Sequence, residues 1–236
     1  NCNHIGRLGH YSDIAARAGF VPMMTVNSTG SGAAVAPFGG RQGKLGTNPF
    51  SVAFPTTDDP ILMDMTSSIV AEGKIRVRRN SGQSLPEGWI LDRHGEPSTD
   101  PADFYGPPRG AILPFGGPVA HKGFALSMMA ELLSGTLTAA GNVLEREGHI
   151  GNGVFCLLMH VGAFRPEDEF RAAATRLGEY VRECEPADGT DEVLLPGDPE
   201  HRTRQSRSAS GIVVDETTWA GLCDEARRYD CATPTR

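Results

Sequence analysis

Two short strings in this 236-residue sequence place a histidine close to glycine, where acid–base or phosphate chemistry is feasible. In NHIG, the imidazole of His4 can exchange a proton near neutral pH, and Gly6 allows a ligand to approach the backbone closely. In HKG, His121 and Lys122 directly precede an apolar stretch typical of a helix. A phosphate at that point would meet both a cationic side chain and a helix N-terminus.

Two further strings carry oxygen ligands. Thr47 in GTNP has a hydroxyl that can donate to a carboxylate or keto oxygen, although the next two residues are equally typical of a turn. Asp64, Met65 and Thr66 follow an apolar run of strand length, and a carboxylate and a hydroxyl at a strand end can contact ribose and phosphates. The alternative is that Asp64 and Thr66 cap the next helix.

Each of these residues also has a purely structural interpretation. His4 can be an exposed terminal histidine, and Gly6 can mark the start of a helix. His121 and Lys122 can be a solvated pair at a helix start. The basic run 74–79 is more typical of a solvated face than of a phosphate site.

Common catalytic signatures are absent from the sequence. GSGAAV at 30–35 lacks the third glycine of a dinucleotide-binding Rossmann loop, and no periodic helix follows it. There is no G-x-S-x-G, H-E-x-x-H or P-loop motif. A hydrolase that uses His4 or His121 with Asp64 is therefore the weaker alternative. The five cysteines form no C-x-x-C pair, which predicts free thiols in a reducing cytoplasm and no metal site.

Composition narrows the class of protein. The chain is 39% hydrophobic and 22% charged, as is usual for a globular protein with a core. Its net charge of −7 argues against nucleic acid as a partner. The longest apolar stretch is interrupted by serine and glutamate and is too short for a membrane span, and the first residues show no secretory signal.

Hydrophobic periodicity predicts one α/β or α+β unit. The apolar run 154–159 indicates a central strand, and 123–140 is apolar nearly all round, as in a helix buried on most faces. The segment LPGDPEHRTRQSRSASG (195–211) is interpreted as a turn followed by a polar, basic stretch. The predicted strands are 21–26, 50–54, 61–65 and 154–159, and the predicted helices are 12–18, 67–77, 123–140, 166–184 and one capped by Asp215.

Six strings occur in an order that resembles one enzyme family: NHIGRLGHY, VAPFGGRQGKLGTNPFSVAFPT, ILMDMTSSIVAEGKI, LPEGWILDRHGEPSTDP, HKGFALSMMAELLSG and LLPGDPEHR. They resemble the non-Rossmann malate/L-lactate dehydrogenases, a family of NAD(P)-dependent 2-hydroxy acid oxidoreductases that includes ureidoglycolate and sulfolactate dehydrogenases. The resemblance implies an α/β fold with a mixed, largely antiparallel sheet and flanking helices. It also implies NAD or NADP as cofactor, a small 2-hydroxy acid substrate, and a cytoplasmic homodimer with active sites near its interface.

The resemblance assigns roles to particular residues. His4 corresponds to a residue beside the nicotinamide and substrate, and Thr47 to a substrate contact. Gly197 and Asp198 match a P-G-E turn of the family, with the shorter Asp in place of Glu. The implied cofactor contacts are Gly6, Asp64, Met65, Thr66, His121, Lys122, Gly197 and Asp198, and no metal is implied.

The resemblance also bears on where the chain begins. Family members carry an upstream helical segment that supplies a Ser-His pair, which resembles a proton donor, and an Arg that resembles a carboxylate clamp. Neither lies in these residues, which implies an N-terminally truncated member. We therefore expect a cofactor-binding domain at 1–190 and, at 191–236, a turn and helix that pack on the missing segment. A remnant that binds NAD(P) without turnover is the alternative.

Overall fold

A computed structural model describes residues 3–145, 151–233 and 235. Its helices and strands, in chain order, are α1 (Leu8–Arg17), β1 (Phe20–Val26), β2 (Phe50–Phe54), β3 (Ile61–Met65), α2 (Glu72–Asn80), β4 (Ile90–Leu91), β5 (Pro97–Ser98), α3 (Pro101–Tyr105), β6 (Ala111–Ile112), α4 (His121–Glu131), β7 (Val154–His160), α5 (Glu167–Arg182), α6 (Asp198–Ser210) and α7 (Glu216–Arg228). A π-helical turn, Leu132–Leu137, continues α4.

The larger sheet has four antiparallel strands in the order β3-β2-β1-β7. β2 and β3, both predicted as strands, form an antiparallel hairpin in which Ser51 pairs with Asp64. β1 lies inside the sheet although it contains Pro22, which has no N–H to donate. This is tolerated because the ladder between β1 and β2 covers only Met23 to Thr25.

The smaller sheet has the order β5-β4-β6 and surrounds a second core. Ile90 and Ile112 pair across it and are fully buried. Phe104 of α3 is fully buried in the same cluster, which also contains Val70 from the segment after β3. A parallel bridge joins Val35 to Ile112 and connects the glycine-rich loop to this sheet. The second core thus supports the chain that leaves the end of β3.

Small residues bring helices close to the larger sheet. Ala16 of α1 packs against Ala53 and Leu62, and the buried Ser12 hydroxyl lies 2.7 Å from that of Ser51. After α4, the Ser134 hydroxyl lies 2.5 Å from that of Thr25 in β1. The sheet therefore holds the start of α1 at a fixed position near the end of β3.

Two burial predictions were wrong. β7 is an edge strand beside β1 instead of a central strand, and Leu157 and Leu158 are 43% and 50% exposed. The helix over 123–140 divides into α4 and the π turn, and Leu126 and Met129 lie on an exposed face. The apolar composition of β7 and α4 predicted that both would be buried on most sides. Among the described residues, however, nothing packs against the exposed side chains of these two elements.

The helix boundaries also differ from the predictions. Residues 198–210 form α6, where a turn and a polar stretch were predicted, because this helix has no apolar stripe to identify it. α2 begins at Glu72 and not at residue 67. The predicted cap of α7 is confirmed, since the Asp215 carboxylate accepts a hydrogen bond from the N–H of Thr218 at 2.9 Å.

Within the described ranges, no helix is long and apolar enough to cross a bilayer. The four cysteines in those ranges are free thiols, and no cluster of metal-ligating side chains occurs there. Cys2 lies outside the described residues.

Replacing Phe104 by alanine tests the second core. Phe104 is fully buried, so Phe104→Ala should lower the free energy of unfolding by about 3–5 kcal/mol through lost burial and a residual cavity. Urea unfolding measures this change. Phe164→Ala is the control, because Phe164 is 77% exposed; equal effects of the two substitutions would contradict the assignment of the core.

Candidate functional site

Six predicted site residues line one cleft of about 520 Å³, which we call the main cleft. Its walls are the segment before α1, the loop before β2, the end of β3 with the residues that follow, Lys74 of α2, and Phe115. The six predicted residues are His4, Gly6, Thr47, Asp64, Met65 and Thr66. Positions up to 62 residues apart in the sequence are thus brought together.

His4 is held by a local hydrogen bond. The backbone N–H of Gly6 donates to its Nδ1 at 3.0 Å. Nδ1 therefore acts as an acceptor, and the neutral ring carries its proton on Nε2. Gly6 has φ of 80°, the left-handed region that favours glycine. This geometry leaves Nε2 as the ring atom that can donate to a carbonyl oxygen.

Thr47 is held through its backbone, which leaves its side chain available. Its carbonyl accepts hydrogen bonds from both the N–H and the hydroxyl of Ser67, each at 3.0 Å. Its own hydroxyl has no hydrogen-bond partner among the described residues and borders the main cleft. The Thr47 hydroxyl is therefore free to contact a ligand.

Asp64 joins the end of β3 to the first turn of α1. Its Oδ2 accepts a hydrogen bond from the N–H of Gly9 at 2.8 Å, and Arg7 Nε lies 3.4 Å from the same oxygen. Its Oδ1 has no hydrogen-bond partner within the described ranges. The proposed cap of the next helix is wrong, because α2 begins at Glu72 without a side-chain cap, and Thr66 donates instead to the Ser68 carbonyl at 2.9 Å.

Burial raises the pKa of Asp64 above its usual 3.8. The Gly9 N–H and the Arg7 guanidinium act in the opposite direction, because both favour the charged carboxylate. Only 15% of the Asp64 side chain is exposed, so desolvation is the larger effect. Asp64 is thus a partly buried carboxyl group that lines the main cleft.

Two cations of the main cleft are absent from the predicted site residues. Arg7 lines this cleft and also two neighbouring clefts described below. Lys74 lines it from the first turn of α2, although sequence analysis interpreted the run 74–79 as a solvated face. A signal for both was available, since each cation lies close in sequence to a predicted site string, NHIG or DMT.

Gly197 and Asp198 lie in a neighbouring cleft of about 280 Å³ and do not line the main cleft. The Asp198 carboxylate is engaged by Arg182 at 2.9 Å and by the Leu195 N–H at 2.8 Å. Gly197 lies beside β3, since a Cβ there would be 3.3 Å from the Leu62 carbonyl oxygen. This turn is connected to the main cleft through Arg7, which lines both.

His121 and Lys122 are the first two residues of α4, whereas the sequence predicted that they precede the helix, and both are exposed. Neither lines the main cleft among the described residues. The His121 ring makes an edge contact with Phe38, with centroids 5.7 Å apart. Their nearest link to the cleft is Phe115, which borders the cleft and whose carbonyl is against Gly123 in the first turn of α4.

Glu131 holds the loop that carries Thr47 and was not identified from the sequence. It is 5% exposed. Its carboxylate accepts hydrogen bonds from Asn48 Nδ2 at 2.8 Å, Asn27 Nδ2 at 3.0 Å and the Val143 N–H at 3.0 Å. Asn48 itself has φ of 36°. A buried acceptor thus fixes the turn directly after Thr47.

Replacing Asp64 by asparagine tests its protonation. Because the native pKa is raised, the native state binds a proton more tightly than the unfolded state. The contribution of Asp64 to the free energy of unfolding is greatest below pH 3.8 and falls as the pH rises through the raised pKa of the native state. The difference between wild type and Asp64→Asn, from denaturant unfolding at each pH, should therefore decrease across this window. A difference that increases with pH would contradict the assignment; Asp188→Asn, in an exposed loop, is the matched control.

Replacing Glu131 by glutamine tests the buried acceptor. Either orientation of the new amide places an NH₂ group against a donor, so Glu131→Gln should lower the free energy of unfolding by about 1–3 kcal/mol. Glu179→Gln makes the same change at an exposed position and should alter stability by less than about 0.5 kcal/mol. Urea unfolding compares the two, and an unchanged stability of Glu131→Gln would refute the role of the acceptor.

Comparison with known proteins agrees with the sequence resemblance. A family model described as malate/L-lactate dehydrogenase matches residues 1–223. The chain is 36% identical over 238 residues to an L-lactate dehydrogenase of Cupriavidus necator, covering 99% of this chain and 67% of that protein. It is also 36% identical over 234 residues to an L-sulfolactate dehydrogenase of Methanothermobacter thermautotrophicus, covering 97% of this chain and 64% of that protein.

A solved structure confirms the predicted fold class. The sulfolactate dehydrogenase of Methanocaldococcus jannaschii aligns with a TM-score of 0.79 at 31% identity, over 99% of this chain and 66% of that one. The chain therefore spans about two-thirds of the length of these relatives. The extent of the family match and the level of identity lead to one conclusion: the chain belongs to the malate/L-lactate dehydrogenase family.

Proposed function

We propose that this chain binds a nicotinamide dinucleotide and a small 2-hydroxy acid or 2-oxo acid in the main cleft, as part of an NAD(P)-dependent dehydrogenase. The observation that carries the proposal is the convergence of His4, Thr47 and Asp64–Thr66 on one cleft. The relatives named above are dehydrogenases of lactate and sulfolactate, which supports the same class of reaction.

The chemistry of the cleft fits a dinucleotide. Gly6 has open space at its missing Cβ, and Arg7 and Lys74 provide positive charge for phosphate oxygens. The free Oδ1 of Asp64 and the hydroxyl of Thr66 suit ribose hydroxyls. In this proposal Met65 completes the wall of the coenzyme site, and Gly197 and Asp198 border its extension past Arg7. His121 and Lys122 remain proposed cofactor contacts at the start of α4.

The bound nicotinamide would supply or accept the hydride. The chain's own residues handle the rest of the reaction at the substrate. On reduction of a 2-oxo acid, negative charge develops on the carbonyl oxygen and a proton must be delivered to it. In this proposal His4 Nε2 shares in the proton transfer to that oxygen, and the Thr47 hydroxyl donates to the substrate carboxylate.

The weaker alternative, a hydrolase, lacks geometric support. Ser68 lines the main cleft, but its hydroxyl donates to the Val70 carbonyl at 2.8 Å and is buried. His4 accepts from Gly6 and makes no hydrogen bond with Asp64 in the described part of the chain. The hydroxyl, imidazole and carboxylate are therefore not connected as nucleophilic catalysis requires.

The family resemblance also implies a cytoplasmic homodimer, with residues 1–190 as the cofactor-binding domain. The exposed apolar side chains of Leu157, Leu158 and Met129 support a partner surface. Sedimentation velocity of the purified protein checks the oligomeric state.

Coenzyme binding and turnover should be measured separately. Quenching or enhancement of NAD(P)H fluorescence reports binding, and oxidation of NAD(P)H with pyruvate, oxaloacetate or sulfopyruvate reports turnover. His4→Gln should lower kcat by about 10²- to 10⁴-fold through loss of proton transfer, and should leave coenzyme binding nearly unchanged. Normal binding without any turnover in the parent would favour the binding-only alternative, and failure to bind either coenzyme would reject the proposal.

Thr47→Val is the companion substitution for the substrate. It preserves the shape of the side chain and removes the free hydroxyl, so KM for the oxo acid should rise about tenfold or more, as expected for a lost hydrogen bond to a charged group. Thr217→Val, at an exposed position of α7, is the control. An unchanged KM in Thr47→Val would remove Thr47 from the substrate site.

A further inference from the structure

A second cleft, which we call the α1–α6 cleft, lies next to the main cleft and has a volume of about 660 Å³. It lies between the start of α1 and one side of α6, and Gly6 and Arg7 line both clefts. A ligand longer than the main cleft can therefore extend past Arg7 into the α1–α6 cleft.

One face of α6 forms a wall of this cleft. The cleft residues Glu200, Thr203, Arg204 and Arg207 are spaced by three and four positions and so lie on one side of the helix. Arg202 is on another side, where its guanidinium pairs with the Glu192 carboxylate at 2.8 Å. The two α6 arginines that line the cleft, Arg204 and Arg207, are thus on a different side of the helix from the ion-paired Arg202.

The α1–α6 cleft concentrates cations that lack close counterions. Arg204 and Arg207 have no carboxylate within 4.0 Å among the described residues, whereas Arg182 and Arg202 each form an ion pair. Arg204 acts on Asp59 only from a longer distance. Arg7, which is paired with Asp64, and His10 also line this cleft, and the one acidic residue that lines it is Glu200. The surplus of cations predicts an anionic ligand.

A phosphate monoester is the anion that suits this arrangement best. Guanidinium groups bind phosphate oxygens through paired, charge-assisted hydrogen bonds. Of the two nicotinamide coenzymes, only NADP(H) carries a 2′-phosphate on its adenosine ribose, and an arginine near that ribose is the usual means of accepting it.

We propose that Arg204 and Arg207 bind the 2′-phosphate of NADP(H) in the α1–α6 cleft, so that the protein prefers NADP(H) to NAD(H). This inference rests on the proposed function, because the coenzyme must occupy the main cleft for its adenosine to reach α6. Glu200 opposes the preference, since its carboxylate repels a phosphate and can accept a hydrogen bond from a free 2′-hydroxyl.

The test compares both coenzymes with three forms of the protein at one ionic strength. NADPH and NADH are titrated by fluorescence into the parent, the double variant Arg204→Ala/Arg207→Ala, and the control Arg202→Ala, which removes a charge from the same helix outside the cleft. The parent should bind NADPH at least about tenfold more tightly than NADH, and the double variant should lose about tenfold or more in NADPH affinity. NADH affinity in the double variant and both affinities in Arg202→Ala should change by less than about twofold.

Two results would overturn the proposal while leaving the proposed function intact: a parent that binds NADH as tightly as NADPH, or an equal loss of both coenzymes in the double variant. The second result would assign the arginines to the pyrophosphate, which both coenzymes share.

Titration with adenosine 2′,5′-bisphosphate distinguishes failure of the phosphate subsite from failure of the proposed function. If that probe binds and the double variant loses it, but neither coenzyme binds, the phosphate subsite stands and the proposed function fails. If neither the probe nor NADPH binds, both are rejected.

Discussion

The contact between the Asp64 carboxylate and the N–H of Gly9 is the constraint on which the main cleft depends. It joins the end of β3 to the first turn of α1, across 55 positions of sequence. A Cβ on residue 9 would lie 2.7 Å from Asp64 Oδ2, so glycine is required for this close approach. Since His4, Gly6 and Arg7 immediately precede that turn, the position of one wall of the cleft follows from the contact.

The opposite wall depends on a different kind of support. Glu131 accepts hydrogen bonds from two asparagine amides and one backbone N–H in a site that is almost closed to solvent. A buried acceptor of this kind is stable only when all its partners are in place, so the turn after Thr47 has little freedom to move. The Asp64 carboxylate thus positions the wall that contains His4, Gly6 and Arg7. The Glu131 carboxylate positions the wall that contains Thr47. Both arrangements leave His4 Nε2 and the Thr47 hydroxyl without hydrogen-bond partners among the described residues.

The sequence was sufficient for features that depend on neighbouring residues. The hairpin of β2 and β3, the strand β1 and the cap of α7 follow from local apolar runs, turn residues and a capping aspartate. The helix α6 was missed because it has polar residues on all sides, and the exposure of β7 was missed because its composition is that of a buried strand.

The site shows the same division between local and long-range information. The strings that contain His4, Thr47 and Asp64 were identifiable because they resemble those of a family. Their supports were not, because Gly9 and Glu131 meet their partners only through tertiary structure. Arg7 was passed over although it directly follows the NHIG string, because its importance comes from tertiary structure, where it lines three clefts.

The net charge of the whole chain does not predict whether one of its clefts binds an anion. The net charge of −7 concerns the whole surface, whereas a bound anion responds mainly to charges within about 8 Å at physiological salt. Many arginines of this chain are neutralised locally, such as Arg76 by Glu72 and Arg171 by Glu167 one helical turn away. Arg204 and Arg207 are not paired in this way within the described residues, and they lie beside a cleft. An acidic protein can therefore present a basic site where cations without a nearby carboxylate gather beside one cleft, as Arg204 and Arg207 do.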